Sequence, residues 1–420
     1  MRTVQAWMPS PAGQPVPAGA AAPRHWYVVG PADHPAAAAL PAPAAGGRAG
    51  AGTAVLLGPV FTDADNARLV EGVRAAVRRG GRLVLLHLGA GGASLVRAAT
   101  GENRALRALS VELAPRPSAA ALRTAAALVT GDLAGPEELR VDQDGKLTGQ
   151  RWRRVTLPGP APGGLGPGLA IITGGLGGLG IRAAAVLAAR EGLHPVLVDR
   201  RDPAALPPAS QHHLRLLAAG PTGVTVRRAD LSRPGPAAAA LRDLPGRPVV
   251  LVHAAGVMCH GPASRYQPDE LAAAQAVKVA ALAHTLPAID PGRLRSVVVF
   301  GSVLAEQPPH GLGGYGLANE VLRRAVPRLT AGLTGTATVV AQWSIWAGAG
   351  MAHDLAVTPQ ARAMGLTPIS LRPGLEALRR LAGGAVHGPL VLLGAAGDGN
   401  AEEGATPGPA YRRPGWGGVG

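Results

Sequence analysis

The sequence predicts an α/β fold built on a doubly wound parallel sheet, and two observations carry that expectation. Short runs of Val, Ile and Leu alternate with amphipathic helical patterns through both halves of the 420 residues. Such runs are what strands look like when helices cover both faces of a parallel sheet. One run also passes directly into the glycine cluster "TGGLGGLG" at residues 173–180 and then into a helical pattern. That order is the strand-turn-helix setting in which glycines let a backbone approach a phosphate.

In the first half, "HWYVVG" (25–30), "TAVLLG" (53–58), "RLVLLHLG" (82–89) and "AALVTG" (126–131) read as buried strands. "DADNARLVEGVRAAVRRG" (63–80) reads as a helix opened by acids and closed by glycine. "EELRVDQDGKLTGQRWRRV" (137–155) alternates around Asp-Gly and predicts a hairpin. No glycine fingerprint or catalytic cluster occurs here, so residues 1–160 read as a smaller structural unit. "LPGPAPGGLGPG" (157–168) is the expected seam.

The second half is more regular. Strands are expected at "LAIITGG" (169–175), "HPVLVDRR" (194–201), "VTVRRADL" (224–231), "PVVLVHAAG" (248–256), "RSVVVFGS" (295–302), "ATVVAQWSIW" (337–346) and "PLVLLG" (389–394). Helices are expected at "IRAAAVLAAREG" (181–192), "PDELAAAQAVKVAALAHTL" (268–286), "YGLANEVLRRAVPRL" (315–329) and "GLEALRRLAGG" (374–384). The organisation is therefore a structural unit over 1–160, a dinucleotide-binding unit over 161–400 and a disordered tail over 401–420.

Composition narrows the function classes. Forty-one Lys and Arg against 26 Asp and Glu leave a formal charge of +15, which favours an acidic partner. Basic residues form no long run and no aromatics interleave with them, which argues against nucleic acid. The single cysteine, Cys259, rules out an internal disulfide framework and a cysteine-rich metal site. No apolar run reaches membrane length and the start lacks a secretory h-region, so a cytoplasmic setting is expected.

Gly175, Gly177 and Gly180 satisfy G-x-G-x-x-G. The whole loop, Thr173, Gly174, Gly175, Leu176, Gly177, Gly178, Leu179 and Gly180, is the expected pyrophosphate cradle. At the end of the next strand stand Asp199, Arg200 and Arg201. A guanidinium there pairs with the 2′-phosphate of NADPH, whereas a carboxylate holds the 2′-hydroxyl of NADH. Two arginines beside one acid lean toward NADPH. Asp230 and Leu231 follow a further strand, where Asp230 either accepts a hydrogen bond from adenine or caps a turn. His253, Ala254, Ala255 and Gly256 offer a strand end that a cofactor can approach closely.

"TGGLGGLG", "VHAAGV", the strand-end Ser302, "YGLAN" and "WSIWAGAGMA" together resemble the short-chain dehydrogenase/reductase superfamily, and more narrowly the ketoreductase domains of modular polyketide synthases. The resemblance covers roughly residues 160–396 and implies a Rossmann-type sheet preceded by a degenerate Rossmann-like subdomain that binds no cofactor. In most of the superfamily a lysine follows the tyrosine by four residues; in the polyketide ketoreductases an asparagine stands there and the lysine lies on the preceding helix. This sequence has the second pattern: Lys278, Ser302 (302 − 278 = 24), Tyr315 (315 − 302 = 13) and Asn319 (319 − 315 = 4). Only one other lysine, Lys146, occurs in the chain.

The resemblance implies these roles. Ser302 hydrogen-bonds a substrate carbonyl, Tyr315 protonates the developing alkoxide, Lys278 lowers the phenol pKa and holds the nicotinamide ribose, and Asn319 completes a proton relay. Taken singly, each also reads as an ordinary turn serine, helix-start aromatic, solvated lysine or surface amide. The implied substrate is a β-ketoacyl thioester on an acyl carrier protein, with other polyketide synthase domains as neighbours, antibiotic biosynthesis as the setting and no metal. A reductase of a free ketone or alcohol, and a silent cofactor-binding scaffold, are the alternatives. The family's two stereochemical markers are absent: Met258, Cys259 and His260 stand where one subtype has Leu-Asp-Asp, and Gln307 where the other has tryptophan. The sequence therefore gives no handedness for the product.

Overall fold

A computed structural model describes residues 4–13, 26–37, 40, 52–131, 137–159, 164–351 and 366–394. The first half contributes β1 (Gln5–Gly13), β2 (Trp26–Val29), β3 (Gly52–Leu57), helix α1 (Asp63–Arg79), β4 (Gly81–His87), α2 (Ala93–Glu102), β5 (Leu106–Leu113), α3 (Ala119–Thr130), β6 (Glu137–Val141) and β7 (Leu147–Val155). The second half continues with β8 (Leu169–Thr173), α4 (Gly178–Glu191), β9 (His194–Asp199), α5 (Pro208–Ala219), β10 (Thr225–Arg228), α6 (Pro236–Ala240) and β11 (Pro248–His253). Then come α7 (Pro268–Gln275), a π turn (Ala276–Ala280), α8 (Ala281–Thr285), β12 (Ser296–Ser302), α9 (Gly313–Leu329) and β13 (Ala337–Trp343). Two short strands, β14 (Trp346–Ala347) and β15 (Ile369–Ser370), precede α10 (Leu371–Ala382) and β16 (Gly388–Leu393).

Fourteen of the described strands form one sheet in the order β10-β9-β8-β11-β12-β13-β16-β1-β7-β6-β5-β4-β3-β2. From β10 to β16 every pair is parallel. The β6-to-β2 set is parallel too. Between them β1 lies antiparallel to both β16 and β7, and β7 is antiparallel to β6. Three reversals leave the parallel sets of the two halves running in opposite directions.

Alternate strand residues point to opposite faces, and the cores follow. Ile172 packs with Leu187 and Leu378 on one face, while Ile171 packs with Leu251 and Leu322 on the other. A third core joins the halves: Leu69, Leu85 and Leu95 pack with Leu271, Leu317 and Val321. Helices α7 and α9 are thus seated on α1 and α2.

One expected strand is a helix. "AALVT" lies within α3 and Gly131 ends it; Ser118 caps the first turn by accepting from the Ala121 N–H at 3.1 Å. The run is alanine-rich and preceded by a cap, and Ala is the strongest helix former. The fourth parallel strand of this half is instead β5, whose Arg107, Ser110 and Glu112 interrupt its apolar pattern. The expected hairpin at Asp144-Gly145 forms between β6 and β7, with Gly145 at φ 77°. The seam is described only in part, and the expected tail lies outside the described residues. Among the described residues, no helix is long and apolar enough to cross a membrane.

Candidate active site

Two adjoining cavities open at the carboxyl ends of the β8–β13 strands. One, of about 360 Å³, is lined by the glycine loop, the β9 end and the "AAG" segment. The other, of about 570 Å³, is lined by Lys278, Ser302 and Tyr315 together with an apolar wall. Leu179, Ala254, Gly256, Met258, Gly350 and Met351 line both.

The loop's glycines differ in purpose. Gly174 (φ 66°) has no room for a Cβ, which would lie 2.8 Å from the Ala254 carbonyl oxygen, and a Cβ on Gly180 would lie 2.4 Å from the Gly174 carbonyl oxygen. Gly177 caps α4, and Gly178 and Leu179 open the helix beside the smaller cavity. The Gly177 N–H is taken by the Gly174 carbonyl at 2.9 Å, while those of Gly178 and Leu179 have no partner within the helix and carry its positive dipole end. A diphosphate fits that donor set and the side-chain-free cradle around it. Thr173, Gly175 and Leu176 do not line the cavity; they lie under the loop as its buried support.

Asp199 is buried beneath the loop. Its carboxylate accepts the Leu176 N–H at 3.1 Å, the Arg201 N–H at 3.0 Å, and Arg201 Nε and Nη2 at 3.1 and 2.8 Å. Burial works against its ionisation, but the Arg201 and Leu176 bonds outweigh that and hold its pKa below the usual carboxylate value. Asp199 is therefore committed to the protein, and Arg201 to Asp199. Arg200, exposed and on the cavity wall, is the guanidinium left for a ligand. Asp230 also lines the wall and caps its turn, accepting from the Ser232 N–H at 3.1 Å and Oγ at 2.6 Å. Leu231, Ala254, Ala255 and Gly256 complete the wall. Arg182 turns back onto the Gly178 carbonyl at 2.7 Å.

His253 does not reach either cavity. Fully buried, it bridges Thr173 Oγ1 (2.8 Å) and the Lys278 carbonyl (2.8 Å). Burial, followed by the Lys278 charge, lowers its pKa to about 3, so it is neutral. Nε2 donates to the carbonyl and Nδ1 accepts from the threonine. The imidazole thereby ties the glycine loop to the turn that carries Lys278.

That turn is where the expected continuous helix 268–286 departs from regularity. The π turn Ala276–Ala280 inserts an extra residue and Lys278, 3% exposed, lies on the wall of the larger cavity. Its Nζ donates to the Phe300 carbonyl at 3.1 Å and lies 5.9 Å from the Tyr315 ring centre. A Cβ on Gly256 would lie 3.3 Å from Nζ, so the last residue of "HAAG" makes room for the ammonium. Desolvation lowers the Lys278 pKa to about 8.

Ser302 ends β12 and caps the following 3-10 turn, accepting from the Leu304 N–H at 3.2 Å. Tyr315 stands in the first turn of α9, its N–H donating to the Cys259 carbonyl at 3.1 Å. Burial raises the phenol pKa, while the neighbouring Asn319 and Ser302 side chains oppose the rise. The expectation was a phenol pulled down by Lys278; burial raises it instead, and the phenol stays protonated at neutral pH. Asn319 lines neither cavity: Nδ2 donates to the Tyr315 carbonyl at 2.8 Å, and Oδ1 is buried without a partner.

Trp343 packs against Phe300 and Trp346 with ring centres 5.4 and 4.9 Å apart. Leu304, Leu312 and Leu366 extend that surface, and His260 and His310 lie on the same wall. Among the described residues, no cluster of three or more His, Cys, Asp or Glu could hold a metal ion.

A glycine loop and a lysine-serine-tyrosine wall meeting at one strand edge set the terms for comparison with known proteins. Residues 168–348 match the family model described as "KR domain". Those residues belong to the KR-domain family. The family is one of ketoreductases, which places the domain among the oxidoreductases. Over 248 residues the chain is 34% identical to Erythronolide synthase EryA3 of Saccharopolyspora erythraea, covering 56% of this chain and 7% of that protein. Over 243 residues it is 32% identical to Polyketide synthase GfsB of Streptomyces halstedii, covering 56% of this chain and 4% of that protein. The chain thus spans a small fraction of these relatives. Among solved structures, the ketoreductase PlmKR1 from the first module of phoslactomycin biosynthesis in Streptomyces sp. HK803 matches with a TM-score of 0.78. Its identity is 24%, over 93% of both chains. An A-type ketoreductase from a modular polyketide synthase matches with a TM-score of 0.76 and 22% identity over 92% of both chains. The KR domain and its preceding half thus share the ketoreductase fold.

Proposed function

We propose that the KR domain reduces a β-ketoacyl thioester, carried on an acyl carrier protein in the cytoplasm, to the β-hydroxyacyl thioester with NADPH. The observation behind this reading is that Lys278, Ser302 and Tyr315 share one apolar-walled cavity continuous with the glycine-loop cavity. In this reading residues 161–400 are the catalytic unit and residues 1–160 a structural one that binds no cofactor.

The Gly178 and Leu179 N–H groups would hold the pyrophosphate and Arg200 the 2′-phosphate, with Asp230 at the adenine end. When bound, the reduced nicotinamide supplies the hydride that the carbonyl carbon accepts. Ser302 Oγ and the Tyr315 hydroxyl orient the carbonyl oxygen, and Tyr315 gives its proton to that oxygen as charge develops. The buried Lys278 ammonium favours the phenolate left behind. Loss of one such preplaced donor typically slows catalysis about 10²–10³-fold. Phe300, Trp343 and Trp346 keep water from the reacting carbon. The net charge of +15 suits an acidic carrier.

NADPH with deuterium in both C4 positions of the nicotinamide, incubated with a β-ketoacyl carrier protein, tests the reading. Deuterium at the β-carbon of a β-hydroxyacyl product is expected. Unlabelled product, or unchanged substrate, overturns it. A free ketone used faster than the carrier-bound thioester would favour a free-metabolite reductase.

A further inference from the structure

Ser302 and Tyr315 enter the cavity from different elements, the end of β12 and the first turn of α9. The start of α2, outside the KR domain in the first half, bonds the chain a few residues past each of them. Ser94 Oγ donates to the carbonyl of Ala305, three residues past Ser302. The N–H of the same Ser94 donates to Glu320 Oε2 at 2.9 Å, and the Gly92 N–H to Oε1 at 3.1 Å. Glu320 directly follows Asn319 and is fully buried. A carboxylate at a helix N-terminus meets unpaired N–H groups and the positive dipole end.

The surroundings reinforce this grip. Arg324 Nε bonds Glu320 Oε1 at 3.2 Å, and its Nη atoms reach Glu112 at 2.8 Å and Glu138 at 3.3 Å, both on first-half strands. The glycines flanking Tyr315 permit the approach. A Cβ on Gly316 would lie 2.6 Å from the Leu304 carbonyl oxygen and 3.4 Å from Ser94 Cβ; one on Gly313 would lie 2.6 Å from Ala98 Cβ in α2.

We propose that the first turn of α2 is a positioning element that sets the spacing between Ser302 and Tyr315, acting through Ser94 on the 303–305 turn and through Glu320 on α9. Ser94 and Glu320 are positioning residues that touch no substrate. The inference rests on the proposed reduction for its kinetic readout and on the two contacts alone for its structural one.

The test compares wild type with Ser94→Ala and Glu320→Gln. Hydrogen exchange of amides 303–306 and 316–319 is measured beside kcat, KM, NADPH affinity and melting temperature. Ser94→Ala removes one hydroxyl and keeps the Ser94 N–H bond to Glu320, so it reports even if Glu320→Gln fails to fold. The expected result is faster exchange at 303–306 in Ser94→Ala and a fall in kcat of about 10- to 100-fold. NADPH affinity should stay within about twofold of wild type. Unchanged exchange at 303–306 overturns the proposal, as does a kcat within about twofold of wild type or a loss that only tracks NADPH affinity or unfolding. If wild type reduces no β-ketothioester, the functional reading fails while the exchange comparison still decides whether α2 holds the turn.

Discussion

Arg200→Ala separates the two arginines at the end of β9. Asp199 receives four hydrogen bonds, three of them from Arg201, so the pair is close to neutral within itself. Among the described residues Arg200 forms no ion pair and acts on Asp230 only as a neighbouring charge, so its guanidinium is the one available at this strand end. A hydrogen bond to a charged group is worth about 1.5–3 kcal/mol, so its loss should raise the NADPH dissociation constant about 10- to 150-fold. NADH carries a hydroxyl there, and its affinity should move less than about twofold. Arg201→Ala should behave differently. It leaves the Asp199 carboxylate unneutralised beside the cavity, which repels a 2′-phosphate and accepts a 2′-hydroxyl, so preference shifts toward NADH. Fluorescence titration of both coenzymes against both variants at fixed ionic strength provides the assay. The reasoning is refuted if Arg200→Ala weakens both coenzymes equally, or if Arg201→Ala leaves the ratio of NADPH to NADH affinity unchanged.

Two further outcomes follow from the same geometry. Since the Lys278 pKa is lowered from its ordinary value to about 8 and the phenol pKa is raised, the ammonium is lost first as pH rises. The kcat profile should fall through pH about 8; a profile flat to pH about 10 would detach Lys278 from the reaction. Cys259 is buried, and desolvation followed by the Glu270 charge lifts its thiol to about 11. Iodoacetamide at neutral pH should leave it unmodified until the protein is denatured; rapid alkylation of the native chain would contradict that environment.

How far the sequence revealed these features depended on whether a local pattern carried them. The glycine loop was legible because glycine spacing reflects a backbone constraint, and Tyr315 because its spacing to Lys278, Ser302 and Asn319 follows the pattern of the polyketide ketoreductases. The π turn was not: "LAAAQAVKVAALAH" scans as uninterrupted helix, and only tertiary bonds such as His253 to the Lys278 carbonyl mark the extra residue. "AALVTG" was misread because a short apolar run fits a strand or a helix equally well. Asp199 and Arg201 looked like rival cofactor ligands until their mutual bonds were visible. Glu320 gave no signal at all, since its partners Gly92 and Ser94 lie more than two hundred residues away. The wedge of β1 between β7 and β16 was equally hidden, because pairing partners distant in sequence leave no local trace.

The central claim is that a protonated phenol, set beside a serine hydroxyl and a buried ammonium, delivers the proton that completes reduction. Single-turnover oxidation of bound NADPH by a β-ketoacyl thioester, wild type against Tyr315→Phe, measures it. The account predicts a rate loss of about 10²–10⁴-fold with coenzyme affinity unchanged. Equal rates in the two proteins would contradict it.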